Sequence, residues 1–176
     1  MIFEQAPLAG AYLVDLNRLE DDRGFFARSF CRDELEAHGL NPNVAQCNVS
    51  FNAKRGVLRG MHFQAEPHAE DKLVRCTRGA IWDVVIDLRP SSGTFKKWFG
   101  IELNAASRRA LYVPQGFAHG FQTLVEESEV LYMMSERFHP EGARGVRWDD
   151  PAFRIDWPIA APILSARDRE YPDFTG

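Results

Sequence analysis

Apolar and polar positions along this chain come in short runs, each closed by Gly, Pro or Asn, and the runs are too short and too β-branched for helices. Strands are predicted over Gly56 to Gln64, Lys72 to Thr77, Ile81 to Leu88, Trp98 to Leu103, Arg109 to Val113, Phe121 to Leu124 and Val130 to Phe138. Turns fall between them at Arg78-Gly79, Arg89 to Gly93, Asn104 to Ser107 and Pro114 to Gly116. Only Asp33 to Gly39 reads as helix, a short one with a glycine stop. Many strands at this spacing and few short helices mean an all-β sandwich or barrel. No tandem repeat, low-complexity tract or linker divides the 176 residues, so residues 1–176 are expected to form one domain with its own core.

Strand parity narrows where a site could lie. In a regular strand Val130, Tyr132, Met134 and Phe138 share one face, which either lines a pocket or is ordinary core. Lys72 shares its face with Val74 and Cys76, so it either points inward among apolar neighbours or faces water. Arg59 and His62 are three apart, and a regular strand would send them to opposite faces. Both reach one pocket only if the strand is irregular at Gly60.

Composition limits the class. Apolar residues make up 45% and charged residues 26%, the mixture of a soluble globular protein. No run approaches the roughly 20 apolar residues of a membrane helix, and MIFEQAPLAG is not a secretory leader. Three cysteines, Cys31, Cys47 and Cys76, form no C-x-x-C pair, which fits a reducing cytoplasm and neither a disulfide framework nor a structural zinc site. A net charge of −4 gives no general attraction to nucleic acid, so a phosphate-bearing ligand needs a local basic cluster.

His62, between Met61 and Phe63, is either a satisfied core histidine or a general base. A base needs a group to orient it, and Asp168 is a candidate that sequence alone cannot bring near. His119, after a Pro-x-Gly turn, is either a turn histidine or a ligand-binding one. Metal-binding cupins use a His-x-His pair, whereas this chain has His62-Phe63-Gln64, so no metal is expected here. Arg23, Arg59 and Lys72 are either surface charges or, converging, a diphosphate clamp. Gln46, Asn48 and Ser50 alternate and either line the same cavity or decorate an exposed strand.

In order along nearly the whole chain, several segments carry a resemblance: Asp21 to Phe26, Gly56 to Gln64, Lys72 to Cys76, Pro114 to Phe121, Leu131-Tyr132, Arg144 to Pro151 and Leu164 to Asp168. Together they resemble the dTDP-4-dehydrorhamnose 3,5-epimerase family. The resemblance implies a cupin jelly roll that dimerises, needs no metal or organic cofactor, and acts on a nucleotide-linked 4-keto-6-deoxy sugar. By that resemblance His62 is the base, Asp168 orients it, Tyr132 returns a proton from the opposite side, and Lys72 stabilises the enolate oxygen. Arg23, Phe26, Arg59 and His119 resemble residues that hold nucleotide and sugar, and Gln46 and Asn48 fall in the same group. Phe138 stands where an aromatic stacks on the base.

The chain also departs from the family. Arg28 and Ala143 stand at nucleotide-linked positions where relatives often have Glu, Cys47 replaces a common Asp, and Met133 and Met134 follow Tyr132. The positions matched to the family's catalytic residues are intact, whereas those matched to its nucleotide-facing residues have changed. A single-centre epimerase on a CDP- or GDP-sugar and a non-catalytic sugar-nucleotide-binding cupin are the alternatives. A 3,4-ketoisomerase of the same fold is disfavoured by the tyrosine at position 132.

Overall fold

Alternating runs of this kind bury one face only by packing sheet on sheet, and the computed structural model, which describes residues 1–176, has that architecture. One antiparallel sheet holds, in spatial order, β1 (Ile2–Gln5), β2 (Tyr12–Asp15), β10 (Ala110–Val113), β7 (Lys72–Arg78), β12 (Ser128–Met134) and β5 (Gln46–Asn52). The facing sheet holds β13 (Ala143–Gly145), β6 (Leu58–Gln64), β11 (Phe117–Thr123), β8 (Ala80–Asp87) and β9 (Trp98–Asn104). The strands β3 (Arg18–Asp21) and β4 (Gly24–Ala27) form a separate hairpin, and the helices α1 (Arg32–Ala37) and α2 (Ala166–Arg169) are short. This is a cupin-type β-sandwich.

Side-chain alternation explains how core and site share one interior. Val74, Cys76 and Val130 from the first sheet meet Ile81, Val85, Phe117 and Phe121 from the second, all buried. Each such side chain contributes about 1.5–3 kcal/mol on leaving water. Lys72 and Tyr132 continue the same inward rows toward the open end, where Met134 pairs with Lys72 and Tyr132 pairs with both Val74 and Asn48. The outward face of β8 and β11 is also covered: Val84, Ile86 and Ala118 pack with Met61, Val146 and Phe153.

Most expected strands match to within two residues at each end, and two differ by more. The run expected over Phe121 to Leu124 begins at Phe117, because Phe117 and Ala118 are buried on opposite faces of one strand and hide the alternation. His119 is consequently a mid-strand residue and not a turn histidine. The run expected over Val130 to Phe138 stops at Met134, because the Ser135 amide turns away to donate to the Asp71 carbonyl at 2.9 Å. Phe138 therefore owes its place to a loop and not to strand parity.

At Gly60 the ladder is irregular, as convergence of Arg59 and His62 requires. His119 pairs with His62 and Phe121 with Arg59, so two residues of β6, Gly60 and Met61, oppose the single Gly120 of β11. His119 and Phe121 are two apart and face inward, and the bulge turns Arg59 and His62 inward with them. Gly60 sits at φ +147°, and a Cβ there would stand 2.6 Å from Gly120 Cα. Both backbone conformation and space demand glycine. Gly60→Ala is expected to lower the unfolding free energy by about 1–3 kcal/mol, read by urea denaturation. Unchanged stability would mean that the bulge is not the constraint described.

Candidate active site

The open end of the sandwich encloses a cavity of about 700 Å³, of the size that holds small-molecule ligands. Its walls come from both sheets. The β6/β11 sheet supplies Arg59, His62 and His119; the facing sheet supplies Asn48, Ser50, Lys72, Tyr132 and Met134.

His62, Lys72 and His119 each have a carboxylate partner. His62 Nε2 lies 2.6 Å from Asp168 Oδ1; the imidazole is 41% exposed while the carboxylate is buried. With Nε2 so engaged, Nδ1 is the nitrogen left for a ligand. Asp168 is placed by α2, whose Ser165 caps the helix by accepting from the Asp168 amide at 3.1 Å. Burial alone would raise the Asp168 carboxyl, but the hydrogen bond and charge of His62, with help from Ser165 and the Gly60 amide, hold it below the usual carboxylate range.

Lys72 points inward, buried, with Nζ 3.1 Å from Glu70 Oε1 and 3.4 Å from the His62 carbonyl. Glu70 is itself within 3.0 Å of Gln64 Nε2, so the ammonium is fixed beside His62 without leaving an unpaired charge. His119 Nε2 meets Asp83 Oδ1 at 2.8 Å, both fully buried, and Asp83 Oδ2 has no partner. Tyr132 stands edge-on to His119, with ring centroids 6.0 Å apart. Burial, then the nearby negative charge of Asp83, raises its phenol well above the ordinary value, so Tyr132 keeps its proton at neutral pH.

The remaining expected site residues divide into two groups. Arg59 lines the cavity and is held by its Nε–H to Asn52 Oδ1 at 2.8 Å. Asn48 lines it too, with its amide 3.4 Å from the Met134 sulfur. Gln46 lies just behind the wall, bracing Met134 at 3.6 Å and accepting from the Phe138 amide at 2.9 Å. Phe138 stands at the mouth, half exposed. Arg23, Phe26 and Arg28 are not at the cavity within one chain. Arg23 pairs only with Asp21 on the exposed hairpin, Phe26 is 74% exposed, and Arg28 pairs with Glu34 at 2.8 Å. Gln64, at the place where metal cupins carry their second histidine, spends its amide on the loop backbone at His68, Arg137 and His139, so a cupin-type metal ligand set is not built here.

Sequence reasoning passed over Asp83 and Glu70. Asp83 had a legible signal, a lone acid on the same strand face as Ile81 and Val85. Glu70 had none, since it belongs to a polar loop that only the fold brings alongside Lys72.

The cupin-type sandwich thus sets the carboxylate-held His62 on one wall of the cavity, and the neutral Tyr132 phenol and the buried Lys72 ammonium on the other. The model of the dTDP-4-dehydrorhamnose 3,5-epimerase family matches residues 5–176. A dTDP-4-dehydrorhamnose 3,5-epimerase of Sinorhizobium fredii is 39% identical over 175 residues, 99% of this chain and 90% of its own length. The crystal structure of the Bacillus anthracis enzyme of that name, with TDP and PPi bound, is 42% identical with a TM-score of 0.94, covering 98% of this chain and 99% of that one. A 4-keto-6-deoxy sugar epimerase from the novobiocin cluster of Streptomyces spheroides is 37% identical with a TM-score of 0.92, covering 98% and 87%. The chain belongs to the dTDP-4-dehydrorhamnose 3,5-epimerase family.

The lowered Asp168 carboxyl has a consequence for stability. A carboxyl whose folded pKa lies below its unfolded value, about 3.9, stabilises the fold above that pH and loses this contribution as pH falls through the folded value. Between about pH 5 and about pH 2, the unfolding free energy of Asp168→Asn is expected to fall less steeply than that of the wild type. Parallel curves in chemical denaturation would contradict the favourable His62–Asp168 pairing.

Proposed function

We propose that the protein epimerises C3, C5 or both of a nucleotide-linked 4-keto-6-deoxy sugar in deoxysugar biosynthesis, with dTDP as the nucleotide. The observation that carries this reading is that His62 and Tyr132 rise from opposing sheets into one cavity, with Lys72 inside it. A keto group acidifies the C–H bonds on both sides of it. The free nitrogen of His62 takes such a proton, and the electron pair moves through the C–C bond onto the keto oxygen. The Lys72 ammonium, desolvated and fixed by Glu70, stabilises that oxyanion. Tyr132 then gives its proton to the carbon from the opposite face, so the centre inverts with no change in composition. Proton exchange with solvent resets both groups.

Arg59 and His119 hold the diphosphate and sugar, Asn48 and the Gln46-braced Phe138 hold the nucleobase, and neither metal nor organic cofactor takes part. The pairing of Arg28 with Glu34 supports thymidine over a base that presents acceptors, since an arginine engaged elsewhere does not redirect recognition. Arg23 and Phe26 act through a homodimer. Phe25 is clasped at 4.8 Å by both Arg18 and Arg108, which leaves Leu19 (66% exposed) and Phe26 facing outward, an apolar hairpin suited to cover the cavity of a second copy. No helix is long and apolar enough to cross a membrane, and three free cysteines fit the cytoplasm.

Two substitutions separate the roles when dTDP-4-keto-6-deoxyglucose is incubated in deuterated water and followed by NMR. His62→Ala is expected to lose exchange at C3 and C5 by about two to four orders of magnitude; wild-type exchange would rule His62 out as the base. Tyr132→Phe is expected to retain exchange while net inversion collapses. Normal inversion in that variant would remove the phenol from its assigned step.

A further inference from the structure

Outside the cavity, two loops bring together His68, His139 and Glu141, a set of side chains that the epimerase reading does not use. The backbones at His68 and His139 are both held by Gln64. Gln64 Nε2 lies 3.1 Å from the His68 carbonyl and 3.0 Å from the Arg137 carbonyl, while its Oε1 accepts from the His139 amide at 2.7 Å. The Ala65 amide adds a bond to the Gly142 carbonyl at 2.9 Å. The two loops are thus tied together from a buried side chain, which brings the histidines side by side.

The ring nitrogens face a shared carboxylate. Glu141 Oε1 lies 3.3 Å from His139 Nδ1 and 3.7 Å from His68 Nε2, and the three donor atoms all stand within 4.8 Å of one another. Donors on a four-coordinate ion with bonds of about 2.0–2.1 Å stand about 3.3–3.4 Å apart. The other nitrogen of His139, Nε2, faces Glu136 at 3.7 Å, the placement of an outer carboxylate that orients a ligating imidazole. We propose that His68, His139 and Glu141 form a binding site for a divalent ion of the zinc type, completed by water and supported by Glu136.

Two imidazoles and one carboxylate suit zinc or nickel over calcium or magnesium, which take oxygen ligands almost exclusively. The rings now lie face to face, 3.6 Å apart and 11° from parallel, so coordination requires them to turn about Cβ–Cγ until their lone pairs converge. Both side chains are only partly buried, 28% and 29% exposed, and neither belongs to a buried core cluster. The ion takes no part in proton transfer. It clips the loop that carries Phe138 to the loop that follows β6.

The test is calorimetric titration of Zn²⁺ into the full chain, freed of any purification tag and treated with chelator. One ion per chain in the micromolar range is expected, with a rise in Tm. His139→Ala and Glu141→Gln should each weaken binding by at least about tenfold, the smallest loss that removal of even a ligand's supporting partner produces, while His62→Ala binds as the wild type does. Loss of the ion in His62→Ala with retention in His139→Ala would move it to the cavity and overturn the proposal. So would no binding at millimolar Zn²⁺, or equal binding by all four proteins.

Discussion

Two β-sheets packed face to face stand about 10 Å apart, and that separation governs what this interior can do. Where the space is filled by Val74, Cys76, Val130, Phe117 and Phe121 it is core. Where the inward rows change to Lys72, Tyr132, His62 and His119 the same space becomes a slot with a chemically different wall on each side. In the proposed reaction a sugar ring held in that slot meets His62 on one face and Tyr132 on the other. Inversion of a carbon needs that arrangement, since a proton returned from the side it left restores the starting configuration.

Placing charge in such an interior is costly unless each group is paired. The pairs are His62 with Asp168, Lys72 with Glu70 and His119 with Asp83. Asp83 acts in two ways. It fixes the His119 ring, and its charge adds to burial in keeping Tyr132 protonated. In the proposed reaction the two walls have complementary tasks: the imidazole nitrogen not bonded to Asp168 accepts a proton, and the Tyr132 phenol has one to give. The bulge at Gly60 completes the wall that carries His62, because without two residues opposing Gly120 the ladder would place Arg59 and His62 on opposite faces.

Much of this was legible in the chain. The strand runs from Gly56 to Gln64 and from Lys72 to Leu103 reflect plain alternation or β-branched burial, and the ordered motifs pointed to the site residues that line the cavity. Parity put Lys72 on the face of Val74 and Cys76 but left open whether that face was inward, which the burial of all three decides. What was not legible depended on contacts distant in sequence. Phe138 is positioned by Gln46 through one backbone hydrogen bond, and Asp168 reaches His62 only because the C-terminal segment folds back across β6. Arg23 and Phe26 are a different case, since one chain does not place them at its own cavity.

The most direct measurement is a crystal structure of the protein with a nucleotide-linked 4-keto-6-deoxy sugar bound. The account predicts that the carbon beside the ketone lies about 3–3.5 Å from the free nitrogen of His62, with the Tyr132 hydroxyl approaching the ring from its other face and Lys72 at the keto oxygen. A sugar ring that meets both groups on one face, or that lies outside the space between the sheets, would contradict it.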